Sequence, residues 1–310
     1  MRQDQQWTLE MNEALMQIPG CDCRLQANLA PFTTFAVGGP ADLLIRVKSE
    51  DALRQVLERL YQERFPFTVL GAGSNVLIAD KGIRGAVLLL DEEPAALEVN
   101  KDGLRAQAAL RLFQLSAASA RHSLSGLEFC CGIPGSLGGA VSMNAGAYGG
   151  TLSDQLSLVT FFDEDGQVRE ASPEELDFGY RHSYFSDHKA IVLAASFRLT
   201  PGDSREIYSR IAEFQARRRQ SQPLNEKSAG SSFKRPEGHF AGQLISEAGW
   251  KGKSLGPAGV SAKHAGFIVN HGEATATEIK AVFEAVKRDV LAQSGVQLEA
   301  EVRFLGEWEN

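Results

Sequence analysis

The sequence Gly132-Ile133-Pro134-Gly135-Ser136-Leu137-Gly138-Gly139-Ala140 runs on through Asn144-Ala145-Gly146-Ala147-Tyr148-Gly149, and no other part of the chain is as rich in glycine. Glycine loses more conformational entropy on folding than any other residue, so a dense cluster indicates backbone that turns sharply or touches a ligand. Bare N–H groups where a loop enters a helix bind anions, phosphates above all. The stretch therefore predicts a phosphate-binding loop, with a turn-rich connector between strands as the alternative.

A second glycine turn occurs earlier in the chain. The apolar run Phe67–Leu70 predicts a short strand, which ends abruptly at Gly71-Ala72-Gly73-Ser74-Asn75. A strand that stops at glycines followed by Ser and Asn has the form of a phosphate cradle. It is not the dinucleotide fingerprint, because Val76 stands where G-x-G-x-x-G requires its third glycine. A Rossmann domain is therefore disfavoured, although a dinucleotide is not.

Together the two loops resemble the FAD-binding loops of the vanillyl-alcohol-oxidase-like flavoproteins. Within that group the chain is similar to the UDP-N-acetylenolpyruvoylglucosamine reductase family of bacterial cell-wall synthesis, which it matches in motif order from about Thr33 to the C-terminus. The further motifs are Thr34-Phe35-Ala36-Val37-Gly38-Gly39-Pro40-Ala41, Tyr180-Arg181, Gly230-Ser231-Ser232-Phe233-Lys234 and Glu301-Val302-Arg303. The resemblance implies an α+β fold, with a two-lobed FAD-binding domain of the vanillyl-alcohol-oxidase type and a C-terminal α+β substrate domain.

Length and composition are compatible with this interpretation. The 310 residues are 43% hydrophobic and 23% charged, with a net charge of −7, which is ordinary for a globular protein of two or three domains. The net negative charge does not indicate a nucleic-acid partner. No apolar run reaches the roughly 20 residues of a membrane helix, and the polar N-terminus lacks the apolar core of a signal peptide. We expect a monomeric bacterial protein of the cytoplasm, with no nucleic-acid or membrane partner.

The cysteines do not predict a metal site. Cys21, Cys23, Cys130 and Cys131 lack the spacing of a metal site backed by a second pair or by histidines. A bridge between the adjacent Cys130 and Cys131 would close a strained ring. We therefore expect reduced thiols, in keeping with a reducing compartment, and no metal.

Hydrophobic periodicity marks the helices and strands, and the resemblance implies that they are arranged in four segments. These are an N-terminal cover segment (1–32), a first FAD-binding lobe (33–92), a second FAD-binding lobe (93–200) and a C-terminal substrate domain (201–310). The cover segment includes a short helix over Thr8–Ile18, and a hairpin turns at Asn100–Gly103. Ser136 is expected to cap a helix over Leu137–Met143 whose N–H groups face a phosphate. Ser49 is expected to cap a helix that carries Leu53, Val56, Leu57 and Leu60 on one face. A capping box at Thr275–Glu278 predicts the start of another helix, and Gly295 predicts its end. A final strand is predicted from alternation over Val296–Phe304.

The resemblance assigns flavin binding to both glycine loops. The residues implied are Gly71, Ala72, Gly73, Ser74 and Asn75 of the first loop, and Gly132, Ile133, Pro134, Gly135, Ser136, Gly138, Gly139, Asn144, Gly146, Ala147 and Tyr148 of the second. No family-like covalent attachment site is visible. The resemblance therefore implies FAD bound non-covalently, with NADPH as the co-substrate.

Catalysis is assigned by the resemblance to Arg181, Ser231 and Glu301. The sequence alone also allows plainer roles: a surface salt bridge for the arginine, an ordinary loop for the serine, and a solvated strand face for the glutamate. A serine gives up a proton only when it is aimed at developing negative charge in a water-poor site, and a guanidinium suits a carboxylate. In the implied reaction Ser231 protonates the substrate after hydride transfer, while Arg181 and Glu301 hold its carboxylate. Ser232 and Glu299 are the neighbouring controls.

Four basic residues are assigned to the substrate: Arg219, Lys234, Arg235 and His264. Arg219 ends the run Arg217-Arg218-Arg219, which is either a solvated helix end favourable to the helix dipole or a contact for the diphosphate of a nucleotide sugar. Arg219 aligns best with the family's basic residue, Arg235 replaces an asparagine common in the family, and His264 either lines the same cleft or is structural. The short segment after Arg181 resembles the family's subtype without the tyrosine-bearing loop.

Two other functions fit parts of this pattern. A flavin oxidase or dehydrogenase of an alcohol or hydroxy acid, on the same fold, would not need the Gly-Ser-x-Phe-Lys loop and would reduce its flavin with its own substrate. A nucleotide-sugar-binding module without catalysis would purify colourless. The resemblance favours an NADPH-dependent flavoenzyme that reduces UDP-N-acetylenolpyruvoylglucosamine to UDP-N-acetylmuramate for peptidoglycan synthesis.

Overall fold

The computed structural model describes residues 3–90, 96–100 and 103–308. In this part of the chain the α-helices are α1 (Gln3–Leu15), α2 (Glu50–Gln62), α3 (Leu112–Arg121), α4 (Leu137–Ser142), α5 (Tyr184–Asp187), α6 (Ser204–Ser221), α7 (Ala241–Glu247) and α8 (Ala276–Ser294). 3-10 helices cover Ala30–Phe32, Glu128–Gly132 and Pro173–Glu175. None of the helices among these residues combines the length and the hydrophobicity that a membrane crossing requires.

The strands of the same residues mix parallel and antiparallel pairing. They are β1 (Cys21–Asn28), β2 (Pro40–Val47), β3 (Phe67–Leu70), β4 (Val76–Ile78), β5 (Ile83–Leu90), β6 (Leu97–Asn100), β7 (Gly103–Gln107), β8 (Leu124–Ser125), β9 (Gly146–Ala147), β10 (Gly150–Thr151), β11 (Leu156–Phe162), β12 (Val168–Ala171), β13 (Ile191–Arg198), β14 (Thr200–Pro201), β15 (Ser254–Leu255), β16 (Ala258–Val260), β17 (Ile268–Asn270) and β18 (Arg303–Leu305). The predicted hairpin forms from β6 and β7, and the middle of its turn, Lys101 and Asp102, lies outside the described residues.

Residue contacts divide the chain into two units that interleave along the sequence. Unit 1 comprises Met1–Leu25, Leu43–Gly71 and Gly85–Arg218, and unit 2 comprises Gln26–Asp42, Ala72–Arg84 and Arg219–Asn310. The first glycine turn is therefore shared, with Gly71 in unit 1 and Ala72 onward in unit 2. The four-segment division drawn from the sequence stays a prediction.

Unit 1 contains two hydrophobic clusters. In the first, the apolar face of α2 packs on strands of the sheet ordered β1-β2-β5-β3, in which β3 and β5 are parallel. The predicted helix forms because Leu53, Val56, Leu57 and Leu60 recur on one buried face, and the Ser49 hydroxyl accepts the Ala52 N–H at 3.2 Å as its N-cap. The second cluster joins α3 and α4 to the antiparallel sheet β12-β11-β13-β7-β6.

Unit 2 is built around α8. Thr275 and Glu278 form the predicted capping box at its start, and Gly295 ends it in the left-handed conformation, with φ 72°. The buried face of α8 packs in one cluster with residues of β16 and β17. Both predicted helix ends are therefore confirmed.

The final strand is much shorter than the alternation predicted. Only Arg303–Leu305 forms a ladder, parallel to β4, and a single bridge between Phe233 and Ala300 precedes it. Leu298 and Val302 are nevertheless buried. The prediction over Val296–Phe304 was wrong because alternation indicates an extended backbone with one buried face, and does not require a continuous ladder.

Candidate functional site

The two glycine loops touch each other in unit 1, where β3 ends. A Cβ atom at Gly71 would lie 2.6 Å from Ser136 Oγ and 4.0 Å from Gly139 Cα. The first distance is well inside the 3.5–4.0 Å at which non-bonded heavy atoms pack best, so a side chain at this position would displace the serine. The loops that the sequence predicted separately therefore meet at this point in unit 1.

The start of α4 differs from the prediction. Leu137 N donates to Leu110 O at 2.8 Å and Gly138 N donates to Ala108 O at 2.9 Å. Ser136 occupies the N-cap position, but its side chain makes no capping hydrogen bond. The expectation of bare N–H groups is wrong for Leu137 and Gly138, because the protein's own carbonyls occupy them.

A half-buried cation lies beside the start of the second glycine loop. A Cβ atom at Gly132 would lie 2.7 Å from Arg218 Cδ and 3.5 Å from its Nε and Nη1. Arg218 Nε is buried and has no hydrogen-bond partner among the described residues. Burial lowers the pKa of this guanidinium, and the nearby Tyr148 and Cys131, rather than a carboxylate, act in the opposite direction. A buried cation of this kind fits an anionic ligand at the loop.

Helix α6 holds the other end of the same loop through an aromatic stack. The rings of Tyr148 and Phe214 are parallel to within 2°, with centroids 4.5 Å apart. The Tyr148 hydroxyl also donates to the Phe214 carbonyl at 3.2 Å. Arg218 follows Phe214 by four residues, which places both side chains on the same face of the helix. One face of α6 therefore supplies both contacts to the second glycine loop.

Arg181 lies at a tight turn that faces the same loop. Gly179 and His182 form an antiparallel bridge around Tyr180 and Arg181, and Arg181 adopts a left-handed backbone with φ 55°. Its Nη2 donates to Gly146 O at 3.3 Å. A non-glycine residue in this conformation is unfavourable by itself and indicates that its surroundings determine it. The turn thus directs the guanidinium onto the glycine loop.

Asn144 fixes this turn from the other side. Its Nδ2 donates to Gly179 O at 3.0 Å, and its Oδ1 accepts the Ser153 N–H at 3.1 Å. The side chain is buried, with 5% exposure. In unit 1 Asn144 therefore holds the turn that carries Arg181, and Arg181 in turn contacts Gly146, so the hydrogen bonds of Asn144 give it a positioning role.

In unit 2 the two serines of the Gly-Ser-Ser loop are used differently. Ser232 is 1% exposed, its Oγ accepts the Ile268 N–H at 2.7 Å, and its own N–H donates to Gly266 O at 2.8 Å. Ser231 is exposed. The fold therefore uses the hydroxyl of Ser232 in a structural hydrogen bond and leaves Ser231 at the surface.

Glu301 lies next to this loop and next to the first glycine turn. Its N–H donates to Ser232 O at 2.9 Å, while its carbonyl accepts from Asn75 Nδ2 at 3.1 Å. Arg303 N also donates to Asn75 O at 3.0 Å. Unit 2 thus joins the serine loop, the predicted catalytic glutamate and the predicted flavin loop through main-chain contacts.

The predicted substrate residues occupy different surroundings in unit 2. Lys234 forms an ion pair with Glu299, which is the exposed neighbour of Glu301 on the far side of Ala300. The Arg235 guanidinium lies 4.1 Å from the ring centroid of Phe240. Lys234 therefore lies beside the segment that contains Glu301, and its positive charge is paired with the carboxylate of Glu299.

His264 and Arg219 lie on neighbouring segments. His264 Nδ1 accepts the Gly266 N–H at 3.0 Å, and Lys263 Nζ donates to Arg219 O at 2.6 Å. Burial lowers the pKa of His264, with the positive charge of Lys251 acting in the same direction. The lowered pKa favours a neutral imidazole, and Arg219 is exposed.

The helical period of α6 favours Arg218, whereas the family resemblance selected the neighbouring Arg219. Ile207, Ile211 and Phe214 follow the helical period on one face of α6, and that period continues at position 218. The arginine turned toward the protein is therefore Arg218, which agrees with its half-buried position, while Arg217 and Arg219 are exposed.

Two further observations delimit the site. Among the described residues, no group of three or more His, Cys, Asp or Glu side chains is placed to hold a metal ion. A groove of about 670 Å³ in unit 2, lined by Trp250 and the outer face of α8, includes none of the predicted site residues. The candidate functional residues are therefore those described above in each unit, and this groove is not part of them.

Comparison with known families matches both halves of the chain. A model described as "FAD binding domain" matches residues 41–172. A model described as "UDP-N-acetylenolpyruvoylglucosamine reductase, C-terminal domain" matches residues 222–305. The two matches include both glycine loops and the Gly-Ser-Ser loop with the segment of Glu301.

Individual relatives agree over almost the whole chain. A UDP-N-acetylenolpyruvoylglucosamine reductase of Clostridioides difficile is 44% identical over 92% of this chain and 94% of its own. One of Streptococcus pneumoniae is 43% identical over 96% and 99%. The crystal structure of the Thermus caldophilus reductase is similar at 38% identity with a TM-score of 0.78, over 92% of this chain and 98% of that one. The α+β fold class and the family resemblance are confirmed.

Proposed function

Because this chain belongs to the UDP-N-acetylenolpyruvoylglucosamine reductase family, we propose that it reduces the enolpyruvyl ether of UDP-N-acetylglucosamine to UDP-N-acetylmuramate, a step of peptidoglycan precursor synthesis. One observation carries this proposal: matches to an FAD-binding domain and to the C-terminal domain of the reductases occur in the same chain. The second match disfavours an oxidase on the same fold, and the first disfavours a binding module without redox chemistry.

The residues of unit 1 fit a flavin dinucleotide. Gly71 leaves no room for a side chain against Ser136, and Gly132 leaves none against Arg218. Arg218 Nε is buried without a partner among the described residues, so a pyrophosphate oxygen would satisfy it. We assign Gly132, Ser136 and Arg218 to the pyrophosphate. When bound, FAD supplies the hydride, which it has received from NADPH.

Ser231 is the proposed proton donor. After hydride has reached the terminal alkene carbon, negative charge develops on the neighbouring carbon and spreads into the carboxylate. Ser231 Oγ holds the proton that this carbon needs, and its exposed position leaves it accessible to substrate. Removing a donor aimed at such a charge costs roughly a hundred- to a thousandfold in rate.

Arg181 and Glu301 are proposed to hold the substrate carboxylate. The Arg181 guanidinium can donate two parallel hydrogen bonds to it. Glu301 is partly buried and is positioned through its own main chain by Ser232 and Asn75. When protonated or bridged by water, its side chain can donate to the same carboxylate. Contacts with the nucleotide sugar are proposed for Arg219, Lys234, Arg235 and His264.

The decisive experiment separates the two half-reactions. The purified protein should be yellow, NADPH should bleach the flavin under nitrogen, and UDP-N-acetylenolpyruvoylglucosamine should restore the colour. A colourless protein would indicate a binding module, and bleaching by an alcohol or hydroxy acid, without reoxidation by the enolpyruvyl ether, would indicate an oxidase. Parallel reduction by NADH measures the nicotinamide preference.

The location and the oligomeric state stay predictions. A cytoplasmic monomer follows from the sequence interpretation. Sedimentation velocity of the FAD-loaded protein over a range of concentrations tests the monomer, and fractionation of the source cells tests the location. A species of twice the monomer mass that persists on dilution would overturn the first prediction.

A further inference from the structure

Two thiols outside the candidate site lie next to each other on β1. Cys21 and Cys23 are separated by one residue, so both side chains emerge on the same face of the strand. Their Sγ atoms are 3.5 Å apart and share a hydrogen bond. Both are half-buried against the cluster that contains Trp7 and Leu15 of α1. Neither cysteine has a part in the function proposed above.

The strand geometry permits a disulfide at this position, with strain. A strand rises by about 3.2–3.4 Å per residue, which sets Cα atoms two residues apart at about 6.4–6.8 Å. Disulfides span Cα separations of about 4.4–6.8 Å, so this pair lies at the upper limit. β1 is the edge of its sheet and is paired on one side, so it can contract with little loss of hydrogen bonding. A bond formed under such strain is easily reduced.

The two thiols are not chemically equivalent. The hydrogen bond from Cys23 lowers the pKa of Cys21, against the opposing effect of burial. The same hydrogen bond and burial raise the pKa of Cys23. Because the thiolate is the nucleophile, these directions favour Cys21 as the attacking sulfur and Cys23 as the resolving sulfur, and the two single-cysteine variants below decide between the two orders.

We propose that Cys21 and Cys23 form a reversible disulfide by exchange with a small-molecule disulfide of the glutathione type. Cys21 Sγ attacks one sulfur of that molecule, the original S–S bond breaks, and one small thiol leaves. Cys23 Sγ then attacks Cys21 Sγ, the mixed disulfide breaks, and the second small thiol leaves. Two protein thiols are oxidised, one small disulfide is reduced to two thiols, and the two protons lost by the cysteines end on those thiols.

The test uses the folded, FAD-loaded protein and oxidised glutathione as the probe. After exposure to oxidised glutathione, free thiols are alkylated, the protein is digested, and the peptide masses are measured by mass spectrometry. The peptide that contains Cys21 and Cys23 should lose two hydrogen atoms and carry no alkyl group, and dithiothreitol should reverse this. Cys131 is the matched control, since it is also half-buried but its Sγ contacts the Ile211 carbonyl at 3.8 Å instead of a thiol. Constant flavin absorbance shows that the protein stays folded.

Two variants make the assignment falsifiable. Cys23→Ser should trap glutathione on Cys21, because the resolving sulfur is missing. Cys21→Ser should leave Cys23 much less reactive, by about tenfold or more, and wild-type reductase activity should persist in both variants. Alkylation of both cysteines in the wild-type protein, under conditions that glutathionylate Cys131, would overturn the proposal. Equal glutathionylation of the two single variants would overturn the assigned roles.

Discussion

Replacing Arg218 by methionine should weaken FAD binding without destabilising the flavin-free protein. The guanidinium of Arg218 lies against Gly132, where an added Cβ would be 2.7 Å from its Cδ. Its Nε is buried with no partner among the described residues, and burial lowers its pKa. These are the properties of a cation that the ligand, rather than the protein, neutralises.

The magnitude follows from the lost interaction. A hydrogen bond between a guanidinium and a charged oxygen contributes about 1.5–3 kcal/mol. Since about 1.4 kcal/mol corresponds to a tenfold change in affinity, the Kd for FAD should rise by about 10- to 150-fold. In the flavin-free protein the substitution removes a half-buried charge and keeps an apolar stem, so the free energy of unfolding should be unchanged or higher.

The assay requires flavin-free protein and a matched control. FAD is removed, titrated back while the quenching of its fluorescence is followed, and the stability of the flavin-free form is measured by urea unfolding. Arg217→Met serves as the control, because Arg217 is exposed and pairs with Glu213 one turn earlier at 2.5 Å. Loss of such a surface pair should change the free energy of unfolding by no more than about 0.5 kcal/mol and leave the Kd unchanged.

Opposite effects on stability and on affinity distinguish this role from a structural one. If Arg218→Met unfolds at lower urea without FAD and binds FAD with the wild-type Kd, then Arg218 is a packing residue. If Arg217→Met and Arg218→Met weaken FAD equally, the effect is one of overall charge. Either result would refute the argument from the orphaned Nε.

The remaining predictions concern the serine loop, the histidine and the contact between the glycine loops. Ser231→Ala should slow turnover by about a hundred- to a thousandfold while flavin reduction by NADPH stays near the wild-type rate, and equal loss of both half-reactions would contradict the proton-donor role. Ser232→Ala should instead lower the free energy of unfolding in urea by about 1–3 kcal/mol, because the buried Ile268 N–H loses its acceptor. Because burial lowers the pKa of His264 below its usual 6.5, the unfolded chain takes up the proton first. The wild-type free energy of unfolding, measured in urea at a series of pH values, should therefore fall as the pH drops through about 6.5, and this fall should be smaller in His264→Gln. The same pH dependence in both proteins would contradict the lowered pKa of His264. Gly71→Ala should destabilise unit 1 by about 1–3 kcal/mol, since its Cβ would meet Ser136 Oγ at 2.6 Å. Adding Ser136→Ala should recover most of that loss in urea unfolding, and purely additive effects would show that the clash is not the cause.

The sequence predicted helices better than the last strand, for a physical reason. A helix such as α8 is determined locally, by its apolar face, by the capping box at Thr275 and by a glycine at position 295. A strand needs a partner, which the alternation after Val296 cannot identify. The partner is β4, more than two hundred residues earlier in the chain, and it pairs only with Arg303–Leu305. Non-local pairing of this kind leaves little trace in the sequence.

The glycine loops show a similar limit within the site. Their composition predicted backbone that turns sharply or touches a ligand, and in the structure an added Cβ at Gly71 or Gly132 would meet the side chain of Ser136 or Arg218. It could not predict which N–H groups remain for a ligand, and Leu137 and Gly138 donate to the carbonyls of Leu110 and Ala108 instead. A glycine allows proximity both to a ligand and to the protein's own backbone. Only the hydrogen-bond partners distinguish these cases.

Neighbouring residues of the same type are where structure adds most to the sequence. Ser231 and Ser232 have the same hydroxyl, yet Ser232 Oγ accepts the Ile268 N–H while Ser231 is exposed. Arg218 and Arg219 have the same guanidinium, yet one residue of helix rotates the side chain by about 100°, out of the face that carries Phe214. The chemistry of a side chain decides what a residue can do, and its position along the helix or loop decides which of two identical neighbours faces the site. The family resemblance selects Ser231 by position, and that assignment stays a prediction, while the apolar period of α6 favours Arg218 over the Arg219 that the resemblance selected. A site prediction should therefore test each candidate against the phase of its own helix or strand.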